Sequence, residues 1–181
     1  MPRYIAFLRG INLGRRRIKM DALRAVFEKL PVTDVATYIA SGNVLFTSTA
    51  RSATVWQDTI AAHLENELGY AVNTIVRTRA ELTALVAQAP LGELFCDQPH
   101  ASTQVTLFAA PVTSEIVTKL DGFRTTTDAF AVVDRELYWR CATKLTASTV
   151  WKDTKINPHH FPTGTTRNLQ TLQKLAELYP A

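Results

Sequence analysis

Long apolar runs are missing from this sequence of 181 residues. No segment approaches the ~20 consecutive apolar residues that a membrane-spanning helix needs. The opening MPRYIAFLRGIN has neither a long apolar stretch nor a small-residue cleavage site, so a cytoplasmic protein with no membrane partner is expected. Cysteine is scarce as well. Cys96 and Cys141 are too few for a disulfide framework, and their expected role is packing. The glycines match neither a P-loop nor a dinucleotide fingerprint. No complete set of metal ligands is legible: His159 and His160 are adjacent, and Cys96 and His100 stand four apart. No cofactor is expected. Nucleophilic catalysis has no visible machinery, because Ser41 reads as a turn residue and no Ser, Cys or Thr sits beside a recognisable base. Paired carboxylates are also lacking in the loops. Asp134 and Glu136 flank Arg135 in an expected hairpin turn, where a solvated charge cluster explains them.

What is present is a globular composition. With 46% apolar and 20% charged residues the chain can bury a sizeable core, as one domain or as two small ones. The formal charge of +4 is only mildly basic, but its distribution is uneven. The stretch LRGINLGRRRIKM, residues 8–20, carries Arg9, Arg15, Arg16, Arg17 and Lys19 before the next acid, and removing those five turns +4 into −1. The basic excess is a local patch.

The element pattern starts with RYIAFL, a strand apolar on both faces, which predicts a sheet covered on both sides. Met20, Leu23, Val26, Phe27 and Leu30 then recur at helical spacing up to Pro31. DVATYIA and NVLFTS read as strands joined around Ser41, Gly42 and Asn43. Ser52 can cap a helix carrying Trp56, Ile60, Leu64 and Leu68, with Gly69 placed for a left-handed C-terminal stop. AVNTIVRT is a strand, and Thr78 to Glu81 has the capping-box spacing that opens a helix running to Pro90.

Through residue 77 the order is βαββαβ, the ferredoxin-like arrangement of an antiparallel sheet with two helices on one face. The aperiodic LGELFCDQPHAST follows. Beyond it TQVTLFAA, a short helix at Ile116, Val117 and Leu120, and the strands AFAVV and ELYWRC begin the order βαββ again. A weaker helical segment is expected at 145–153, and a last helix carries Leu169, Leu172, Leu175 and Leu178. The expected architecture is α+β: two related ferredoxin-like halves with mainly antiparallel sheets. The expected boundaries are 1–90 and 103–181, with 91–102 as linker.

YIAFLRGINLG, IKMDALRAVFEKL, DVATYIASGNVLFTS and the late TTRN resemble the bacterial domain of unknown function 1697 family across nearly the whole chain. The resemblance implies an α+β protein of two related halves. It implies no activity, because the family has none assigned. The chain departs from the family pattern where Gly14 runs straight into Arg15, Arg16 and Arg17. It also has Thr143-Lys144-Leu145 in place of a Ser-Lys-Leu segment, and Arg167-Asn168-Leu169 in place of Arg-Asn-Trp.

The basic stretch sits between a strand end and a helix start, where free backbone N–H groups and the helix dipole favour an anion. Gly10 and Gly14 let the backbone approach a ligand, and Asn12 offers a side-chain donor. A second candidate is GTTRN, residues 164–168, expected to open the last helix with Thr165 or Thr166 as cap. Arg167 and Asn168 would then turn donors toward a phosphate or carboxylate, joined by Lys144. RNA recognition on a sheet face would need exposed aromatics. Phe7 and Phe46 occupy suitable strands, but SGNVLFTS lacks the RNA-recognition-motif signature, and core packing is expected for both. Tyr38, Tyr138 and Trp139 are likewise expected to be core or sheet-edge residues.

The leading expectation is a binding protein for an anionic ligand, a phosphate-bearing small molecule or a nucleic acid. Alternatives are an enzyme acting on a phosphorylated or carboxylated metabolite in a cleft between the halves, and a structural or interaction module.

Overall fold

The computed structural model describes residues 1–14, 16–40, 42–50, 52–152 and 161–178. Ser41, His159 and His160 lie outside them, as does Arg15. The chain is α+β and divides into two compact units, Met1–Thr83 and Ala84–Leu178. Each contains one four-stranded sheet whose paired strands are antiparallel among the described residues.

The first unit runs β1 (Arg3–Leu8), α1 (Met20–Phe27), β2 (Thr33–Tyr38), β3 (Asn43–Thr47), α2 (Ala53–Leu68) and β4 (Thr74–Thr78), followed by α3 (Arg79–Gln88). The sheet order is β2-β3-β1-β4. The two-sided apolarity of RYIAFL has its counterpart in the fold, since every β1 residue after Arg3 is buried. Tyr4, Ala6 and Leu8 join Val44, Phe46 and Val76 in a core with Leu23 and Phe27 of α1 and Trp56, Ile60 and Leu64 of α2. Phe46 is central to it, stacked on Tyr4 at 5.4 Å and edge-on to Trp56 at 5.4 Å between ring centroids. The alternate residues Ile5, Phe7, Leu45 and Ile75 are also buried, and among them lies Arg77, only 1% exposed.

Local signals placed the helix ends. Ser52 Oγ accepts from the Val55 amide at 3.3 Å, and Gly69 closes α2 with φ of 75°. Thr78 and Glu81 form a reciprocal capping box: the Thr78 amide donates to Glu81 Oε2 at 2.7 Å and the Glu81 amide to Thr78 Oγ1 at 3.2 Å.

The second unit carries β5 (Ser102–Phe108), α4 (Ser114–Asp121), β6 (Asp128–Val133), β7 (Glu136–Cys141), a single 3-10 turn at Val150–Lys152, β8 (Gly164–Asn168) and α5 (Leu169–Leu178). Its sheet order is β6-β7-β5-β8. Phe108, Ile116, Leu120, Phe130, Leu137 and Val150 form a core there. The break between the units falls inside α3, and residues 91–102, expected as a linker, belong to the second unit as a series of turns with Leu91 buried.

Two expectations need correction. GTTRN does not open a helix: Gly164–Asn168 is the strand β8, paired with β5 from Gln104↔Asn168 to Phe108↔Gly164. The β-branched pair Thr165 and Thr166 suits an extended backbone, and the partner strand supplies the ladder that a local reading could not see. The helix start is marked by Asn168, whose Oδ1 accepts from the Gln170 amide at 2.8 Å. Of the helical segment expected at 145–153, the described residues 145–152 contain only the 3-10 turn, and residue 153 lies outside them.

Candidate functional site

The basic loop joins β1 to α1 and is built from the inside outward. Ile11 is 1% exposed and anchors the loop in the core of the first unit. Gly10 and Gly14 both take left-handed conformations, with φ of 68° and 63°. Asn12 is a staple: its Nδ2 donates to the carbonyls of Ile18 at 3.3 Å and Ala40 at 3.1 Å, and its Oδ1 accepts from the Ile18 amide at 2.8 Å. Sequence reasoning placed Asn12 among the ligand donors; the fold uses both ends of its amide to tie the loop to itself and to the β2–β3 connection.

That connection presses close. The Leu8 amide donates to the Gly42 carbonyl at 2.8 Å, and a Cβ on Gly42 would meet Ile11 Cγ2 at 2.7 Å. With φ of 78° as well, only glycine fits there. On the other side the Arg9 amide donates to the Asn73 carbonyl at 2.8 Å. The loop is thus held between the β2–β3 and α2–β4 connections, with Arg9, Leu13, Arg16, Arg17 and Lys19 exposed.

The cations differ in what holds them. Arg17 Nη1 donates to the carbonyls of Asn12 at 3.1 Å, Gly14 at 3.0 Å and Arg16 at 2.7 Å, closing the loop into a ring. The Arg16 guanidinium lies over the Tyr70 ring, 4.3 Å from its centroid. Lys19 occupies the N-cap position of α1 and makes no side-chain cap. None of Arg9, Arg16, Arg17 and Lys19 forms an ion pair with a described residue.

Stability alone would not choose this arrangement. A helix N-terminus carries the positive end of the dipole, prefers Ser, Thr, Asp or Asn at the cap, and is disfavoured by cations by about 0.3–1 kcal/mol each. Here three described cations, Arg16, Arg17 and Lys19, stand just before the first helical residue, and Asp21 is the acid of the first turn. An anion placed against the loop would relieve that repulsion.

Lys144, Arg167 and Asn168 belong to the second unit. Lys144 is exposed, in the turn after β7. Arg167 is 7% exposed, and burial pulls its guanidinium down to about 10. Its Nη1 donates to Thr165 Oγ1 at 2.8 Å and to the Thr166 carbonyl at 2.9 Å. Arg77 holds the matching place in the first unit: each arginine is the second-last residue of its strand, paired with Ile5 on β1 or with Val105 on β5. Sequence reading singled out one member of this pair and missed the other.

Phe7 and Phe46 are buried, Tyr138 donates its hydroxyl to the Leu85 carbonyl at 2.8 Å, and the Trp139 indole donates to Asp128 at 2.9 Å. Asp128 also accepts from Ser148, Thr125 and Thr127. Burial alone would raise this carboxyl, and the four hydrogen bonds outweigh burial and hold it below the ordinary aspartate value.

A small cleft in the first unit was not foreseen. Of about 170 Å³, it is lined by Arg3, Ile5, Asp34, Leu45, Thr47 and Arg79 among others. Its residues come from four separate segments, which is why no local motif announced it. Among the described residues no cluster of three or more His, Cys, Asp or Glu could hold a metal, and no helix is long and apolar enough to cross a membrane.

Two small units, each an antiparallel sheet with helices, and a cation-bearing loop on the first, define an α+β protein of repeated element order. The family model described as "Protein of unknown function (DUF1697)" matches residues 1–138, and the chain belongs to that family. A solved structure of the conserved bacterial protein SP0830 from Streptococcus pneumoniae is similar over 98% of each chain, with a TM-score of 0.78 at 18% sequence identity, a likeness of fold. No curated protein matches the sequence.

Proposed function

We propose that this protein binds a phosphate-bearing ligand, nucleic acid or small molecule, at the β1–α1 loop. The observation that carries the reading is the set of exposed cations Arg9, Arg16, Arg17 and Lys19, which form no ion pair among the described residues and precede the positive end of α1. A loop kept only for solubility would gain nothing from being stapled by Asn12 and closed by Arg17. Phosphate oxygens suit both parts of the site: the guanidinium forks and the ammonium supply charge, and the opening amides of α1 supply directed donors. Lys144, Arg167 and Asn168 of the second unit are proposed as ligand-binding residues within that unit. Arg167 enters that proposal as a buried group, and Lys144 as an exposed one.

We further read each unit as a ferredoxin-like half. The strand orders β2-β3-β1-β4 and β6-β7-β5-β8, antiparallel among the described residues, support this. The protein is proposed to act in a bacterial cytoplasm, a reading supported by the sequence features above.

Fluorescence anisotropy with short single- and double-stranded DNA and RNA at two salt concentrations tests the ligand. Binding that weakens steeply as salt rises supports phosphate contacts. Absence of binding to every oligonucleotide at low salt removes nucleic acid, and a parallel titration with inorganic pyrophosphate, followed by amide shifts in the loop, decides the small-molecule form. If neither shifts the loop, the reading fails.

A further inference from the structure

The cleft lies at the other end of β1 from the basic loop. Its β1 residues Arg3 and Ile5 stand six and four positions from Arg9, which at about 3.3 Å per residue puts roughly 13–20 Å between the two places, so the two are separate sites. The cleft's geometry follows from the register. Ile5 pairs with Leu45 and Arg3 with Thr47, so an apolar pair and a polar pair stand side by side on one face of the sheet. Asp34 closes the β2 side. It sits at the register shift between Thr33 and Ala36, with φ of 53°, a left-handed conformation unusual for a residue with a side chain. Arg79, the first residue of α3, closes the β4 side.

Arg79 Nε is buried and has no hydrogen-bond partner, and the residue forms no ion pair among the described residues. Nε is one half of the side-on fork with which a guanidinium grips a carboxylate in two parallel bonds. The adjacent helix start does not compete for the anion, because Glu81 already receives the Thr78 amide and hydroxyl. The cleft is far smaller than the ~300–1,000 Å³ of pockets for drug-sized molecules, which excludes a nucleotide. The side chains lining it include two guanidiniums, Arg3 and Arg79, and one carboxylate, Asp34. That favours a monoanion, since Asp34 would repel the second charge of a phosphate.

We propose that this cleft is a binding site for a small monocarboxylate with a short aliphatic tail. Arg79 grips the carboxylate through Nε and a terminal nitrogen, Arg3 adds charge, and the tail lies on Ile5 and Leu45. The site is independent of the basic loop, and either can exist without the other.

Butyrate is the probe, titrated at neutral pH into the isotope-labelled full chain, with butyramide and inorganic phosphate in parallel. Butyrate is expected to shift the amides of Ile5, Leu45, Thr47 and Arg79 while leaving residues 9–19 unmoved, and butyramide to shift none. Arg79→Gln should weaken butyrate binding at least about tenfold, equivalent to about 1.4 kcal/mol. Arg3→Gln, which leaves the α3 start intact, should weaken it by a smaller factor and serves if the first variant does not fold. The proposal is overturned if butyrate shifts nothing in the cleft or only the loop, if butyramide shifts the same amides, if phosphate binds there more tightly, or if neither folded variant weakens binding.

Discussion

The two units share a strand order and differ in what their sheets carry at equivalent places. Aligning Ile5 and Arg77 with Val105 and Arg167 puts Tyr4, Ala6, Val76 and Thr78 opposite Gln104, Thr106, Thr166 and Asn168. In the first unit three of these four are core residues, packed with α2, a helix of 16 residues. In the second unit all four are polar, Thr166 is exposed, and Thr106 and Thr166 meet through their hydroxyls at 2.8 Å. The described part of the connection from β7 to β8 holds one 3-10 turn where the first unit has α2. Side chains on these two strands therefore differ between the units, whereas strand order and the buried arginine persist although the described part of the β7–β8 connection holds no helix like α2. Strand pairing and face packing are separable in this fold.

The comparison can be broken most severely at α2. Ile60 is fully buried, and Ile60→Ala should cost about 2–5 kcal/mol through lost burial and a cavity. On the face of Gln104, Thr106, Thr166 and Asn168 the second unit offers no such apolar lever, although Val105 and Leu107 of β5 are buried; a polar lever there is Asp128. Asp128→Asn should cost roughly 1.5–3 kcal/mol, because charge-assisted hydrogen bonds to four groups are weakened or lost. Chemical denaturation measures both. The pH dependence has a definite sign. The folded carboxyl lies below its ordinary value of 3.8, so its contribution is complete above that value and is lost as pH falls through the lower folded value. Asp128→Asn should flatten this acid limb, and an unchanged limb would dismiss Asp128 as its source.

Exchanging the faces sharpens the contrast. Val76→Thr buries a hydroxyl and should cost about 1–3 kcal/mol, while the equivalent Thr166→Val should stay within about 0.5 kcal/mol. Equal costs would mean that the two faces are covered alike. The smallest effect expected has the opposite direction. Lys19→Ser replaces a cation at the N-cap with a capping hydroxyl and should raise stability by about 0.5–1 kcal/mol while weakening anion binding. A loss of stability would show that Lys19 is structural.

Much of this was legible wherever the determinant is local. Ser52, Gly69 and the Thr78–Glu81 box specify helix ends through neighbours within a few residues, and the unbroken apolar run in RYIAFL specifies a strand covered on both faces. β8 was not legible, because Gly164-Thr165-Thr166 reads equally as a cap until β5 pairs with it. The loop's charge could be read directly, but Asn12's partners could not. One of them, the Ala40 carbonyl, lies 28 positions away. The cleft, assembled from β1, β2, β3 and the start of α3, has no contiguous sequence signal at all.

The central claim is that the loop cations meet phosphate, and the salt dependence of binding tests it most directly. Comparing the wild type with a variant combining Arg9→Ala, Arg16→Ala and Lys19→Ser, which leaves the loop-closing Arg17 in place, gives the slope of log affinity against log salt. The account predicts a slope shallower by about three in the variant, with the fold retained. An unchanged slope in a folded variant would contradict it.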